Sequence, residues 1–222
     1  MEDSKILALV DHTLLAPTAI WNEIAKTCDE AVTNKCASAC IPPSFIRLAK
    51  EKYGDKLALC TVIGFPLGYS STEAKTLEIR KALEEGATEF DTVINIGDAK
   101  SGNFDAITKE LSILKRAAGD NILKVIIECC YLNEAEKIAL CKSVTESGAD
   151  FIKTSTGFGT GGATIEDIRL FKAHIGPSVK MKAAGGMRTK EDFIAFINEG
   201  CLRLGTSAAV KVLGGGSSEG AY

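Results

Sequence analysis

Short apolar runs alternate along this chain with longer stretches whose apolar positions recur every three or four residues. The first run, 6–10, ends in Asp11-His12-Thr13 and predicts a strand with polar groups at its exit. Helical spacing follows over 21–32, then a second strand over 37–41, which Pro42-Pro43 stops before Ser44 opens a helix through 53. A third strand over 57–63 runs into Gly64-Phe65-Pro66-Leu67-Gly68. Ser70, with Glu73 three residues on, reads as a capping box for the helix that carries Leu77 and Leu83. The fourth strand, 90–96, closes at Gly97, after which Phe104, Ile107, Leu111 and Leu114 repeat on one helical face. A fifth strand over 123–127 precedes a helix over 135–147. The sixth strand carries Lys153 and the seventh, 179–184, carries Lys182, with a helix over 165–174 between them. Thr189 with Asp192 opens a helix bearing Phe193, Phe196 and Ile197. The eighth strand, 201–204, is broken by Gly205, and a short helix over 210–213 follows.

Strands that alternate with helices pair in parallel, and eight of them predict closure into a single (β/α)8 TIM barrel over 1–213. An open doubly wound sheet is the alternative, but no glycine-rich dinucleotide fingerprint follows the first strand. The remaining residues, 214–222, are rich in glycine and serine and predict a flexible tail. A length of 222 residues suits one such barrel. The formal charge of −3 leaves no basic surplus for nucleic acid, so any phosphate must meet local groups. No apolar run reaches the ~18 residues of a membrane helix, and Met1-Glu2-Asp3-Ser4-Lys5 is too polar for a signal peptide. A cytoplasmic protein without a membrane partner is expected. The 8 cysteines contain no Cys-x-x-Cys pair, and the only histidines, His12 and His174, lie far apart, so neither a zinc site nor a disulfide framework is expected.

Four consecutive strands each carry an ionisable residue inside an apolar run: Asp91, Lys124, Lys153 and Lys182. Strands of a barrel point alternate residues inward, so these four can converge on one interior region. Three buried lysines beside one aspartate would leave positive charge in excess, which is a poor stability device and a useful chemical one. A lysine nucleophile must be a free amine, whereas an isolated one titrates near 10.4. Burial and a neighbouring ammonium both penalise its charged form, and Lys182 is placed to be that neighbour to Lys153. Such an amine attacks an aldehyde, and the resulting iminium is an electron sink for making or breaking a C–C bond. The plainer alternatives are a Lys153 stem that snorkels to water and an Asp91 that only neutralises Lys124 or Lys182. Gly157, Gly185, Gly186 and Gly205 follow strands six to eight, where loops of this fold bind phosphate through backbone N–H groups.

The segments Phe151-Ile152-Lys153-Thr154-Ser155-Thr156-Gly157 and Lys182-Ala183-Ala184-Gly185-Gly186-Met187-Arg188-Thr189 closely resemble signature segments of the deoxyribose-phosphate aldolase family. Asp11-His12-Thr13-Leu14-Leu15, Glu89-Phe90-Asp91-Thr92-Val93-Ile94-Asn95 and the terminal Tyr222 extend the resemblance over nearly the whole chain. It implies that Lys153 forms the Schiff base, that Lys182 tunes it, and that Asp91 relays protons through water. By the same resemblance Tyr222 is a proton shuttle at the enamine. Arg188 and Ser207 join Gly157, Gly185, Gly186 and Gly205 at the phosphate. Asp11, Thr13 and Cys40 line the pocket, and Lys124 and Thr156 complete the substrate-binding set. The chain departs from many relatives at Phe158, where they carry a lysine, and from some at Ala208, where they carry a serine. The implied reaction is reversible cleavage of 2-deoxyribose 5-phosphate into glyceraldehyde 3-phosphate and acetaldehyde, with no metal or organic cofactor, by a homodimer. The rivals are another Schiff-base barrel enzyme of transaldolase type and a non-catalytic barrel that binds sugar phosphates. The latter would have no need of Lys153 with Lys182.

Overall fold

In the computed structural model, which describes residues 1–214, eight strands close into a barrel in sequence order. They are β1 (Val10–Thr13), β2 (Ser38–Cys40), β3 (Leu59–Ile63), β4 (Glu89–Val93), β5 (Ile122–Ile126), β6 (Phe151–Lys153), β7 (Lys180–Ala184) and β8 (Cys201–Thr206). Every pair is parallel, and β1 pairs with both β2 and β8. Parallel neighbours need a crossover between them, and helices supply it. The helices are α1 (Asp3–Leu7), α2 (Trp21–Thr33), α3 (Ile46–Tyr53), α4 (Thr72–Glu85), α5 (Ile96–Lys100), α6 (Phe104–Ala118), α7 (Glu134–Ser147), α8 (Ile165–His174), α9 (Lys190–Asn198) and α10 (Ala209–Leu213). No helix among the described residues is long and apolar enough to cross a membrane.

The main core lies between the barrel and its helical shell, where Phe90, Val125, Ile152 and Ala183 on the strands meet Ile107, Leu111, Leu140 and Ile168 on the helices. A second, small apolar cluster of Leu15, Cys40, Cys60 and Val62 sits apart from it. Register decides what else meets inside the barrel. Asp91 stands opposite Lys124, Lys153 opposite Lys182, and Lys182 opposite Arg203. Each strand from β4 to β8 therefore carries a charged group inside the barrel, and the expected convergence of ionisable groups follows from the pairing.

Several element boundaries differ from the sequence pattern. Residues 6–10 are not one strand: Ile6 and Leu7 end α1, and β1 begins at Val10 and takes in Asp11, His12 and Thr13. Ile6 and Val10, both fully buried, are four residues apart, a helical spacing hidden in so short a run. The fourth strand stops at Val93, because the Asn95 side chain accepts the N–H groups of Gly97 and Asp98 and opens α5 at Ile96. The cap of α4 is Ser71, whose hydroxyl accepts from the Ala74 N–H at 3.3 Å, one residue after the predicted Ser70. Pro43–Phe45 forms a 3₁₀ turn before α3, and β8 runs on through Gly205 to Thr206. Thr189 and Asp192 form the expected capping box at α9, and the helix over 165–174 has the predicted limits.

Candidate active site

Alternation along β4 turns Glu89 and Asp91 to the same side, and both are buried. Around them the barrel gathers Asp11 from β1, Lys124 from β5, Lys153 from β6, Lys182 from β7 and Arg203 from β8. Lys153 Nζ and Lys182 Nζ each donate to Asp91 Oδ2 at 2.7 Å, so one carboxylate oxygen joins the two amines. Lys182 also donates to Asp11. Lys124 Nζ reaches Asp91 Oδ1 at 2.9 Å, Glu89 Oε2 at 2.7 Å and Asp11 Oδ2 at 3.3 Å. Arg203 grips Glu89 with two hydrogen bonds of 2.8 and 2.7 Å and donates to Asp11. Four cations thus face three carboxylates, not three lysines one aspartate, and the expected positive excess shrinks to a single charge.

The charges stay on despite burial. Desolvation alone would push Lys182 and Lys124 toward neutral amines, but Asp11 and Asp91 outweigh it and hold both above the usual lysine range. Desolvation would likewise favour neutral acids. Lys124, Lys153 and Lys182 keep Asp91 well below the usual carboxylate range, and Lys124, Lys182 and Arg203 do the same for Asp11. Cys40 and Cys60 are register partners at one side of this cluster. Burial pushes the Cys60 thiol far up, and it donates to Asp91 Oδ1 at 3.2 Å while accepting from Lys124 at 3.2 Å. Two groups of acid and thiol atoms, Cys40-Cys60-Asp91 and Asp11-Cys60-Glu89, come close enough to hold a metal ion. The Lys124 ammonium already contacts Cys60 and Asp91 of the first group and all three members of the second.

Over the cluster opens a pocket of about 500 Å³ at the C-terminal ends of the strands. Among the described residues Lys153 is the only ionisable side chain that lines it, so this lysine alone joins the charge cluster to the cavity. The walls come from the loops after β6, β7 and β8, including Gly157, Gly185, Gly186 and Ser207, with Gly205 near the end of β8 and Thr13 and Leu15 from the end of β1. Gly205 leaves room for a neighbour, since a Cβ there would lie 3.0 Å from Lys182 Cε. Gly185 has φ +80°, and a Cβ on Gly162 would lie 2.5 Å from its carbonyl carbon, so two loops meet backbone against backbone. The amides of Gly157, Gly186 and Ser207 have no acceptor among the described residues. Such N–H groups around one cavity suit an anion.

The predicted residues divide by depth. Asp11, Lys124, Lys182, Asp91 and Cys40 lie in the buried cluster beneath the pocket, and Cys40 is packed with Cys60 and Leu15. Thr13 lines the pocket, with its hydroxyl donated to the Asp11 carbonyl at 2.7 Å. Thr156 also lines it, but its N–H and O–H are both given to Glu128. Arg188 is exposed at the entry to α9 and is not among the pocket-lining residues. Phe158, where many relatives carry a lysine, lines the pocket and packs edge-on against Phe65 with ring centroids 5.3 Å apart. Tyr222 and the rest of 215–222 lie outside the described residues. Sequence reading missed Glu89, Arg203 and Glu128. For Glu89 a signal existed, because it lies two residues from Asp91 on the same strand.

A family model described as "DeoC/LacD family aldolase" matches residues 5–211. A deoxyribose-phosphate aldolase of Clostridium botulinum (strain Alaska E43 / Type E3) is 60% identical over 220 residues, covering 99% of this chain and 100% of that one. One from Clostridioides difficile (strain 630) is 55% identical over 208 residues, 94% of this chain and 95% of that one. Among solved structures, a tetrameric deoxyribose phosphate aldolase from Aeropyrum pernix superimposes with a TM-score of 0.87 at 33% identity, covering 96% of this chain and 91% of that one. With Lys153 lining a pocket walled by the loops at the ends of the strands and relatives aligned end to end, the chain belongs to the DeoC/LacD family of aldolases.

Proposed function

We propose that the chain cleaves 2-deoxyribose 5-phosphate reversibly to glyceraldehyde 3-phosphate and acetaldehyde through a Schiff base on Lys153. The observation that carries this reading is the position of Lys153, which among the described residues is the one ionisable side chain in both the pocket lining and the charge cluster. Its neutral amine adds to the C1 aldehyde, and loss of water gives an iminium. That iminium accepts the electron pair of the C2–C3 bond as the 3-hydroxyl gives up its proton and becomes the new aldehyde. Protonation of the two-carbon enamine and addition of water then release acetaldehyde and restore the amine.

Each proton needs a nearby group that is fixed before reaction. Asp91 accepts from Lys153 and Lys182 on one oxygen, which supports a relay through this carboxylate and water. Lys182 is held as an ammonium by Asp11 and Asp91, which supports its role as the neighbouring positive charge. Tyr222 enters the proposal as the proton donor to the enamine. The open amides of Gly157, Gly186 and Ser207 support a phosphate at the far wall, bound by neutral donors because among the described residues no cation but Lys153 lines the pocket. A homodimer and a cytoplasmic location belong to the same reading, and light scattering tests the first.

Borohydride reduction in the presence of acetaldehyde tests the centre of the proposal. It is expected to add one two-carbon unit at Lys153, located by mass mapping, and to abolish cleavage. A label on Lys182 or Lys124 with Lys153 unmodified would overturn it.

A further inference from the structure

Glu128, just beyond the end of β5, has no role in the chemistry above. It is 2% exposed and adopts φ 56°, ψ 66°, a left-handed conformation shared by one other non-glycine among the described residues, Lys35. A residue with a side chain is strained in such a backbone, so something must over-determine it. Among the described residues its carboxylate accepts hydrogen bonds from Thr156 and Cys130 alone, none of them from a cation. A buried carboxylate without a counter-ion persists only when neutral donors satisfy it. Here one loop supplies nearly all of them.

The Thr156 N–H lies 3.1 and 3.3 Å from the two Glu128 oxygens, and the Thr156 hydroxyl donates to Oε2. That hydroxyl accepts in turn from the Phe158 N–H at 3.0 Å. One residue on, a Cβ at Gly159 would lie 3.2 Å from Glu128 Cδ, so the loop passes directly over the carboxylate. Its far end is fixed separately, by the Ala163 N–H on the Ala184 carbonyl at 3.1 Å and by Gly162 against Gly185. Gly157 lies between the two anchors and lines the pocket, and its N–H has no acceptor among the described residues.

We infer that Glu128 is a positioning residue for anion recognition. It consumes both donors of Thr156, draws the loop onto the end of β5, and so sets the Gly157 N–H in place beside those of Gly186 and Ser207. Its contacts are with the loop and not with Lys153, where the aldehyde reacts. The inference rests on the proposed function for one point, that the anion is the 5-phosphate of the sugar.

Glu128→Gln and Glu128→Ala test it, with folding followed by circular dichroism. Either change is expected to raise KM for deoxyribose 5-phosphate about tenfold or more while kcat stays within about threefold, the pattern of lost uniform binding. Competitive inhibition by inorganic phosphate should weaken in parallel. The kcat/KM for unphosphorylated 2-deoxyribose and the rate of acetaldehyde trapping at Lys153 should stay within about twofold of wild type. Glu128→Asp, which keeps the charge on a shorter stem, should fall between. Equal losses on both sugars, no change on either, or loss of fold in both the Gln and Ala variants would each overturn the inference. A wild-type protein that cleaves neither sugar, yet loses phosphate binding when Glu128 is changed, would sink the aldolase reading and leave this inference standing.

Discussion

Lys124 touches three carboxylates at once, whereas Lys153 touches Asp91 alone. With four cations against three acids, removing Lys153 relieves the excess, but removing Lys124 strips the shared partner from all three. Breaking a buried charge network at such a hub costs about 3–5 kcal/mol. Lys124→Met is therefore expected to lower unfolding stability by that amount, and Lys153→Met by less than half of it, as read from urea midpoints at unchanged slope. Equal losses would mean that Lys124 is no hub. At this scale the sequence named Asp91, Lys124, Lys153 and Lys182 from their place in apolar strands, and the strands do bring them together. Arg203 stayed hidden because its partners, Asp11 on β1 and Glu89 across the barrel on β4, are brought to it only by closure. Glu128 stayed hidden because its backbone and its loop contacts have no sequence signature.

Among the elements, caps and turns decided the boundaries more than periodicity did. The first turn of α4 leaves N–H groups without helical partners, and the Ser71 hydroxyl takes one of them. Ser71→Ala is expected to cost about 1 kcal/mol of stability, and Ser70→Ala next to nothing. Thermal melts of the two variants compare them directly, and a reversed order would restore Ser70 as the cap. Asn95 likewise converted residues that read as the end of a strand into the start of α5. Where a cap and a stop stand close together in the sequence, as Thr164 and Gly176-Pro177 do around α8, the element was legible to the residue.

For the whole molecule, the charge cluster ties stability to pH from both sides. Asp11 and Asp91 titrate lower in the fold than in the unfolded chain. Their contribution is full above about pH 4 and is lost as pH falls from there toward their folded values. Lys124 and Lys182 titrate higher in the fold, so theirs is full below about pH 10 and is lost as pH climbs through the folded values. The stability gap between wild type and Asp91→Asn should accordingly be flat from about pH 5 to pH 9 and narrow below about pH 4. A gap that widens in acid would contradict the ionised state of Asp91. The sequence by itself determined the alternation of strands and helices, the count of eight, and the lysines that apolar strands had to accommodate, because each is written in local pattern and composition. Only the tertiary structure decided that three carboxylates and four cations share one interior, that Lys153 is the one ionisable side chain among the described residues to line the cavity, and that Glu128 anchors the loop beside it. Those facts depend on strand register and on loops meeting across the barrel, and contacts between residues far apart in the chain leave no periodic trace in it.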